Sequence, residues 1–338
     1  MSASRHAQAP RRRWWRWALG LVLLMTLVFV LGPRNPFGPD APAARPAPPA
    51  ALAELDDWLV RSEAGFADIR PGLAKRITWH GGQRLRQPWA VVYVHGFSAS
   101  LQETAPLARR VAEGLGANLF ETRLAGHGRS AAAMAEPTPQ DWLADMQEAL
   151  ALGRLLGERV LVLSVSTGGT LSAWQALRPE GRKDVAYAMV SPNFGPKNPL
   201  ADVVNWPWGR PLSLMIEGQN RGWQPRSEAE AQAWTTRYPT AAVFPMMALV
   251  KQVRQSDLSR MKAPVLVLYS PRDETVNATQ TEAAFARMGS RLKTLQAITD
   301  SDAVGQHVLA GDIRAPRSTE PMARRIIDWT RSLPADAF

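Results

Sequence analysis

Runs of apolar residues recur along the chain, separated by segments rich in glycine, proline and charge. Four of these runs predict strands buried on both faces of a sheet: residues 89–94, 160–163, 185–190 and 265–269. Other patterns predict strands at residues 75–80, 117–122 and 292–298 and helices at residues 51–64, 107–114, 142–156, 170–177 and 321–333. Because strands alternate with helices, we expect an α/β fold with a mainly parallel sheet and helices on both faces.

The alternation is interrupted at residues 194–261. This segment is broken by many prolines and glycines, and its large apolar residues are Trp206, Trp208, Trp223, Trp234, Phe244, Met246 and Met247. An insertion of this kind between two sheet strands predicts a helical cap over the carboxyl edge of the sheet. The α/β domain with its cap is expected to span residues 51–338.

The amino-terminal segment differs from the rest in charge and hydropathy. Residues 1–17 are basic, residues 18–31 are uncharged and apolar apart from one threonine, and residues 32–50 are rich in proline and alanine. With its flanking tryptophans, the apolar stretch reaches roughly the 17–20 residues that span a bilayer as a helix. The sequence therefore predicts a membrane anchor at residues 18–31, followed by an extended, semi-rigid linker at residues 32–50.

The distribution of arginines predicts the orientation of this anchor. Arginines precede the apolar stretch and few follow it, which places the amino terminus in the cytoplasm and the catalytic body on the extracytoplasmic, periplasmic side. A cleaved signal peptide is the alternative, because fourteen apolar residues also suit a signal-peptide core and Ala41-Pro42-Ala43 resembles a cleavage site. The protein would then be secreted.

Charge and cysteine content exclude several classes of function. The formal net charge is +10, but residues 1–50 carry seven arginines and one acid, so the remaining 288 residues carry only +4. The body lacks the basic excess of a nucleic-acid-binding protein, and no nucleic-acid partner is expected. The chain has no cysteine, which excludes disulfides and thiolate catalysis. Its five histidines are scattered without a metal-binding spacing, so no metal is expected.

The most informative motif is Ser164-Val165-Ser166-Thr167-Gly168-Gly169, which follows the apolar run 160–163 and precedes a predicted helix. A strand, a tight turn with small residues around a serine, and a helix together describe a nucleophile elbow. Ser166 would stand at the helix amino terminus, where the dipole favours developing negative charge. For the hexapeptide alone, a plain strand–helix turn with incidental serines is the alternative.

A serine nucleophile needs a base, and His307 is the only histidine that follows Ser166. In the α/β-hydrolases the catalytic residues follow one another along the chain as serine, acid and histidine, and the position of His307 fits this order. The acid must hold the imidazole in the correct tautomer. Asp273 is the favoured candidate because it lies just past the carboxyl end of a predicted strand, and Asp302 is the alternative candidate.

Attack on a carbonyl also requires N–H donors for the oxyanion. The candidates are the backbone N–H groups of Thr167, directly after the nucleophile, and Phe97, in the loop after strand 89–94. His95 and His127 are interpreted as parts of loop architecture rather than as catalytic groups.

These motifs recur together, in the same order, in a known family. The set comprises His95-Gly96-Phe97, Leu124-Ala125-Gly126-His127-Gly128-Arg129-Ser130, the serine elbow, Asp273 with Val276, and Gln306-His307-Val308. Residues 75–333 thereby resemble the α/β-hydrolase family, and most of all its monoacylglycerol lipase and carboxylesterase branch. The resemblance implies a cap domain, no cofactor and a triad of Ser166, Asp273 and His307. Two positions depart from the pattern, Ser164 in place of glycine and Gln306 in place of a small residue.

The expected function is hydrolysis of acyl or lipid-type carboxylic esters through an acyl-enzyme, by a serine hydrolase held at a membrane. Cleavage of thioesters or amides, or acyl transfer, would use the same triad and stays open. A non-catalytic, membrane-tethered scaffold of the same fold is the alternative from another class.

Overall fold

The computed structural model describes residues 14–338. Within this range the strands are β1 (Arg76–Thr78), β2 (Gln87–Val94), β3 (Asn118–Glu121), β4 (Gly157–Val165), β5 (Val185–Val190), β6 (Asn220–Gly222), β7 (Arg237–Pro239), β8 (Val265–Tyr269) and β9 (Lys293–Ala297). Seven of them form one sheet in the order β1-β3-β2-β4-β5-β8-β9. All pairs in this sheet are parallel except β1 with β3. The predicted fold class, a mainly parallel sheet in an α/β arrangement, is confirmed.

The helices in residues 14–338 are α1 (Trp14–Val30), α2 (Leu55–Glu63), α3 (Leu107–Leu115), α4 (Pro139–Leu156), α5 (Thr167–Ala176), α6 (Gly209–Glu217), α7 (Glu228–Ala233), α8 (Val243–Gln255), α9 (Ala278–Arg287) and α10 (Pro316–Ser332). Helices α4 and α5 cover one face of the sheet, while α3 and α10 cover the other. Alternate strand residues enter the two cores: Val162 packs with Trp142, whereas Leu161 packs with Val111. This burial on both faces explains why the strands have so few polar residues.

Helices α4, α10 and α9 differ from what apolar spacing predicts. Helix α4 begins at Pro139 because Thr138 and Asp141 form a reciprocal capping box. Helix α10 begins at Pro316, and Asp302 accepts hydrogen bonds from the N–H groups of its first turn. Helix α9, whose first turn is capped by the Asn277 side chain, was not predicted.

The insertion at residues 194–261 contains helices α6, α7 and α8 and the antiparallel hairpin β6–β7. In one small apolar cluster of the insertion, Phe244 and Met247 pack with Val204. In another, Tyr238 packs with Met134 of the α/β domain. Helix α8 packs against α5, the helix that follows Ser166. The insertion thus carries helices that pack next to the element expected to hold the nucleophile.

The apolar amino-terminal stretch forms helix α1, and its side chains are exposed throughout. Among residues 14–338, no helix combines the length and the apolar character needed to cross a membrane. The predicted single-pass anchor at residues 18–31 and its topology are therefore not supported. Most of the predicted basic terminus, residues 1–13, lies outside the described residues.

The proline- and alanine-rich linker holds no helix or strand over residues 33–50, and it lies against the domain instead of standing free of it. Asn35 is buried and donates hydrogen bonds to Oδ1 of Asn205 (3.1 Å) and to the carbonyl of Phe244 (2.8 Å) in the insertion. Further along, Oδ1 of Asp40 accepts a hydrogen bond from the Trp174 indole of α5 at 2.8 Å. The linker therefore joins the insertion to the helices beneath it.

Candidate active site

Ser166 occupies the turn between β4 and α5 with φ 52° and ψ −116°, a conformation in which an L-residue is strained. The backbone N–H of Ser166 donates to the carbonyl of Val190 on the neighbouring strand, at 3.0 Å. Ser166 is 7% exposed, so the turn presents a largely buried serine at the carboxyl edge of the sheet. This is the geometry of a nucleophile elbow.

The small residues around the turn are needed to different degrees. A Cβ atom at Gly168 would lie 2.2 Å from the carbonyl oxygen of Val94, so no side chain fits there. Ser164, the departure from glycine, is fully buried on β4, where it pairs with Val94 and Met189. The strand accommodates the side chain of Ser164. Of these two positions, only Gly168 must be glycine for the turn to form.

Asp273 and His307 are brought into direct contact. Oδ2 of Asp273 lies 2.7 Å from Nδ1 of His307. The other carboxyl oxygen, Oδ1, accepts hydrogen bonds from the N–H groups of Thr275 (2.7 Å) and Val276 (2.9 Å). Asp273 is 2% exposed, and these bonds orient its carboxylate toward the imidazole. The pair can hold His307 with Nε2 available as a proton acceptor.

The alternative acid is placed elsewhere. Asp302 bonds to the hydroxyl and N–H of Ser318 and to Arg317, so its carboxylate serves the amino terminus of α10. The second departure from the family pattern, Gln306, has a structural explanation. Its side chain accepts a hydrogen bond from Oγ of Ser270 and donates to the carbonyls of Ser301 and Ala303, which ties the histidine loop to the end of β8.

The candidate oxyanion donors lie on either side of the serine. Thr167 is the first residue of α5, and Phe97 follows Gly96, whose backbone approaches Ser166 so closely that a Cβ atom there would lie 3.1 Å from Cβ of Ser166. Within residues 14–338, neither the N–H of Phe97 nor that of Thr167 donates a hydrogen bond. Both remain available to a developing negative charge. Ser166 and His307 are not hydrogen-bonded to each other in the described chain.

His95 and His127 belong to the loops that frame the site. The N–H of Leu124 donates to Nε2 of His95 (3.1 Å), so Nδ1 carries the proton and donates to the carbonyl of Gly96 (2.9 Å). Burial lowers the pKa of His95 to about 3 and that of His127 to about 4, and both rings are neutral at pH 7. Their positions agree with the loop-architecture interpretation.

The insertion contacts the active-site loops in a way that the sequence did not reveal. The N–H of Thr235 donates to the carbonyl of Ser98 (2.7 Å) in the Phe97 loop. On the histidine loop, the Arg314 guanidinium lies 5.2 Å from the ring centroid of Trp223 and equally far from that of Trp234, and it forms an ion pair with Glu230. These contacts attach the α7 region to both loops. The tryptophans were noted in the sequence, but their partner Arg314 carried no signal.

A large cleft lies outside this site. It has a volume of about 610 Å³ and is lined by residues of the linker, α2 and α4. Several of its charged side chains pair with one another, as Arg45 does with Asp145 and Lys75 with Glu148. None of the residues assigned to the site above lines it.

The chain resembles known hydrolases. A model of the family described as serine aminopeptidase, S33, matches residues 86–301. A thermostable monoacylglycerol lipase from Bacillus sp. (strain H-257) is 25% identical over 237 residues, which cover 69% of this chain and 88% of that protein.

Two solved structures are similar in fold. One, from work on the metagenome-derived lipolytic enzymes LipS and LipT, has a TM-score of 0.59 at 22% identity and covers 78% of this chain and 100% of its own. The monoglyceride lipase of Saccharomyces cerevisiae, in complex with a substrate analog, has a TM-score of 0.57 at 13% identity and covers 76% of this chain and 90% of its own. These structures share the α/β-hydrolase fold with this chain.

Proposed function

Because the chain belongs to the serine aminopeptidase S33 family of α/β-hydrolases, we propose that it is a serine hydrolase that cleaves carboxylic esters of lipid type. The observation that carries the proposal is the contact of 2.7 Å between Asp273 and Nδ1 of His307, at the sheet edge where Ser166 occupies its strained turn. An acid that orients a histidine, combined with a serine at a helix amino terminus, is the arrangement that nucleophilic acyl transfer requires.

The proposed reaction has two halves. Oγ of Ser166 attacks the ester carbonyl carbon while Nε2 of His307 takes the hydroxyl proton. The carbonyl oxygen becomes an oxyanion that accepts hydrogen bonds from the N–H groups of Phe97 and Thr167. When the carbonyl re-forms, the ester C–O bond breaks and His307 gives its proton to the departing alcohol. Water then attacks the acyl-enzyme by the same route and releases the acid and Ser166.

The substrate class is inferred from the insertion and from the relatives. Met246 of α8 lies 3.6 Å from Nδ2 of Asn193, and the N–H of Asn193 donates to the carbonyl of Ser166 (2.9 Å). An apolar cap side chain therefore lies two contacts from the nucleophile. The relatives include a monoacylglycerol lipase, whose named substrate is an acyl ester. An apolar acyl chain against the cap is the substrate that these features favour.

The decisive experiment is Ser166→Ala in the full chain, with Ser172→Ala as a matched control on the same helix. Ser172 is fully buried and its hydroxyl has no partner within residues 14–338. We expect the first variant to lose hydrolysis of p-nitrophenyl and monoacylglycerol esters and labelling by a fluorophosphonate probe, and the control to keep both. Esterase activity that survives Ser166→Ala would refute the mechanism. A folded wild-type protein that is neither active nor labelled would favour the scaffold.

Amide or thioester cleavage and acyl transfer are the alternative reactions, and the family description itself names an aminopeptidase. Matched p-nitrophenyl esters, thioesters and p-nitroanilides of one acyl group compare the leaving groups directly. Added alcohols compete with water for the acyl-enzyme, and the ester product measures transfer. Predominant ester hydrolysis is expected.

We also propose that α1 contacts a lipid surface. Leu23 and Met25 of this helix are 61% and 63% exposed, and α1 is joined to the cap because the Trp208 indole donates to the carbonyl of Val28 at 3.0 Å. An exposed apolar helix with tryptophans at one end suits the interfacial region of a bilayer. Flotation with phosphatidylcholine vesicles should recover the full chain and leave a chain lacking residues 14–30 behind; equal recovery would contradict the proposal. The intact mass of the purified protein shows whether the amino terminus is cleaved.

A further inference from the structure

Glu103 is a buried acid that neither the sequence motifs nor the proposed mechanism uses. It lies in the turn between β2 and α3 and is 2% exposed. Its Oε2 accepts a hydrogen bond from the backbone N–H of Gly96 at 2.8 Å. The hydroxyl of Tyr93 lies 3.4 Å from the same oxygen, and it accepts a hydrogen bond from Oγ1 of Thr104 (2.8 Å). The carboxyl group is thereby fixed beneath the loop that carries Phe97.

Gly96 separates this carboxyl group from the nucleophile. A Cβ atom built on Gly96 would lie 2.8 Å from Oε1 of Glu103 and 3.1 Å from Cβ of Ser166. The absence of a side chain is what lets the acid, the glycine backbone and the serine pack together. Glu103 is thus separated from the proposed chemistry by a single residue.

The backbone of Gly96 is held at both of its polar atoms. Its carbonyl accepts the Nδ1 proton of His95 (2.9 Å), and its N–H donates to Glu103 (2.8 Å). In a trans peptide the carbonyl and the following N–H point in opposite directions. The orientation of the Gly96 carbonyl therefore sets the direction of the Phe97 N–H, the candidate oxyanion donor. The same carbonyl also accepts the N–H of Ala99 at 3.4 Å. Glu103 holds the preceding peptide plane through the Gly96 N–H, and only the two backbone torsions of Gly96 separate that plane from the one that carries the Phe97 N–H.

The titratable and charged groups that face Glu103 come from two elements. Tyr93 belongs to β2, while His307 and Arg314 belong to the loop before α10, and Arg314 is itself paired with Glu230. Burial raises the pKa of Glu103 to about 7, although the Gly96 N–H, His307, Tyr93 and Arg314 each oppose this rise. The carboxyl group is thus ionised above neutral pH and protonated below it.

We propose that Glu103 is a positioning residue, whose carboxylate holds the Gly96 N–H and thereby aims the Phe97 N–H at the oxyanion. The proposal rests on the serine hydrolase function proposed above. An ionised acceptor makes a stronger hydrogen bond than a neutral one, so the loop is held most firmly when Glu103 is charged. A misdirected donor weakens stabilisation of the transition state rather than binding of the substrate.

The experiment compares Glu103→Ala and Glu103→Gln with the wild-type chain on one p-nitrophenyl ester. We expect Glu103→Ala to lower kcat by about 10²-fold with little change in KM, since removal of one oxyanion donor costs roughly 10²–10³-fold. Glu103→Gln keeps a neutral acceptor in the same place and should recover most of the lost kcat. The ratio of wild-type to Glu103→Gln kcat should fall toward one as the pH is lowered from about 8.5 to about 5.5, because both proteins then carry an uncharged side chain.

Glu121→Gln and Glu121→Ala are the matched controls. Glu121 is a buried acid on the neighbouring strand β3, paired with Arg76, and its variants should leave the kcat–pH profile unchanged.

Wild-type kcat in both Glu103 variants overturns the proposal, and so does a ratio of wild-type kcat to Glu103→Gln kcat that is constant with pH. Should Glu103→Ala fail to fold, that pH-dependent ratio decides alone. If the serine hydrolase function is wrong, the wild-type chain fails to hydrolyse the ester and to react with the fluorophosphonate, whereas failure of the Glu103 proposal leaves both intact.

Discussion

Replacing Glu103 by glutamine should stabilise the folded protein at alkaline pH and lose this advantage in acid. In the folded chain, burial of Glu103 raises its pKa from 4.5 to about 7, against the smaller effects of the Gly96 N–H, His307, Tyr93 and Arg314. In the unfolded chain the carboxyl group is solvated and ionises at its ordinary value. Ionising Glu103 is therefore harder in the folded state than in the unfolded one.

The size and sign of the effect follow from this difference. Between pH 4.5 and about 7 the folded chain binds more protons at Glu103 than the unfolded chain does, so the free energy of unfolding falls as the pH rises. A difference from 4.5 to about 7 corresponds to a loss of about 3 kcal/mol once the pH exceeds both values. Glutamine occupies the same volume and does not titrate. Its own cost, an amide group that needs an acceptor, does not change with pH and cancels when two pH values are compared.

Urea denaturation of wild type and Glu103→Gln at about pH 5 and about pH 8.5 measures this quantity. The stability of the variant relative to wild type should be higher at the alkaline pH by about 2.5 kcal/mol, because ~0.8 kcal/mol of the loss has already occurred at about pH 5, above the unfolded-state pKa of 4.5. Glu121→Gln, which removes a buried acid that is paired with Arg76, serves as the control for general charge effects. A relative stability that is the same at both pH values would show that Glu103 does not titrate between them, and would refute its raised pKa in the folded chain.

Three further predictions concern the elbow, the triad and the linker. Asp273→Asn should lower kcat by about 10³–10⁴-fold with little change in thermal stability, because it removes the acid that orients His307, and steady-state kinetics with a melting curve checks both. Gly168→Ala should lower the melting temperature and abolish fluorophosphonate labelling, because its Cβ would lie 2.2 Å from the carbonyl of Val94. Asn35→Ala should cost about 1–3 kcal/mol in urea denaturation, because it leaves buried polar groups without a partner.

Each of these has an outcome that contradicts its premise. Wild-type kcat in Asp273→Asn would mean that another group orients the imidazole. Normal labelling of Gly168→Ala would mean that the elbow tolerates a side chain where the contact distance forbids one. An unchanged free energy of unfolding in Asn35→Ala would mean that the linker contributes nothing to the fold. Asp57→Ala, which changes an acid on α2 outside the linker, is a suitable control for the third.

The parts of the fold that the sequence predicted are those in which one physical signal dominates. Strand β5 was predicted at its observed limits because all of its residues are buried and apolar, and the centre of β4 was predicted from the apolar run 160–163. Helix α10 was predicted to start at Pro321 from its apolar spacing. It begins at Pro316 instead, where Asp302 satisfies its first N–H groups, and that acid lies before the helix, outside its apolar pattern.

The linker shows why composition alone misleads. Its prolines predict an extended chain, but composition does not say what such a chain lies against. Asn35 attaches it through two hydrogen bonds, and Asp40 through hydrogen bonds from Trp174 and Arg178, all with partners more than a hundred residues away. Polar side chains in a segment without an apolar pattern are indistinguishable from solvated ones until the fold brings their partners near.

Glu103 is the sharpest case of the same limit. A glutamate between Gln102 and Thr104 is normally a solvated turn residue, and nothing in its neighbours suggests burial. Its role depends on Gly96. The motif His95-Gly96-Phe97 predicts that the backbone of Gly96 packs closely against its neighbours, but it does not predict which group accepts the Gly96 N–H. A buried backbone donor requires an acceptor, so the glycine motif implies that some polar group lies behind it. In this fold the acceptor is the carboxylate of Glu103, and burying its charge lowers the free energy of unfolding. The same charge is proposed to strengthen the hydrogen bond that positions the oxyanion loop. At alkaline pH, Glu103 should therefore lower the stability of the protein while it raises its activity.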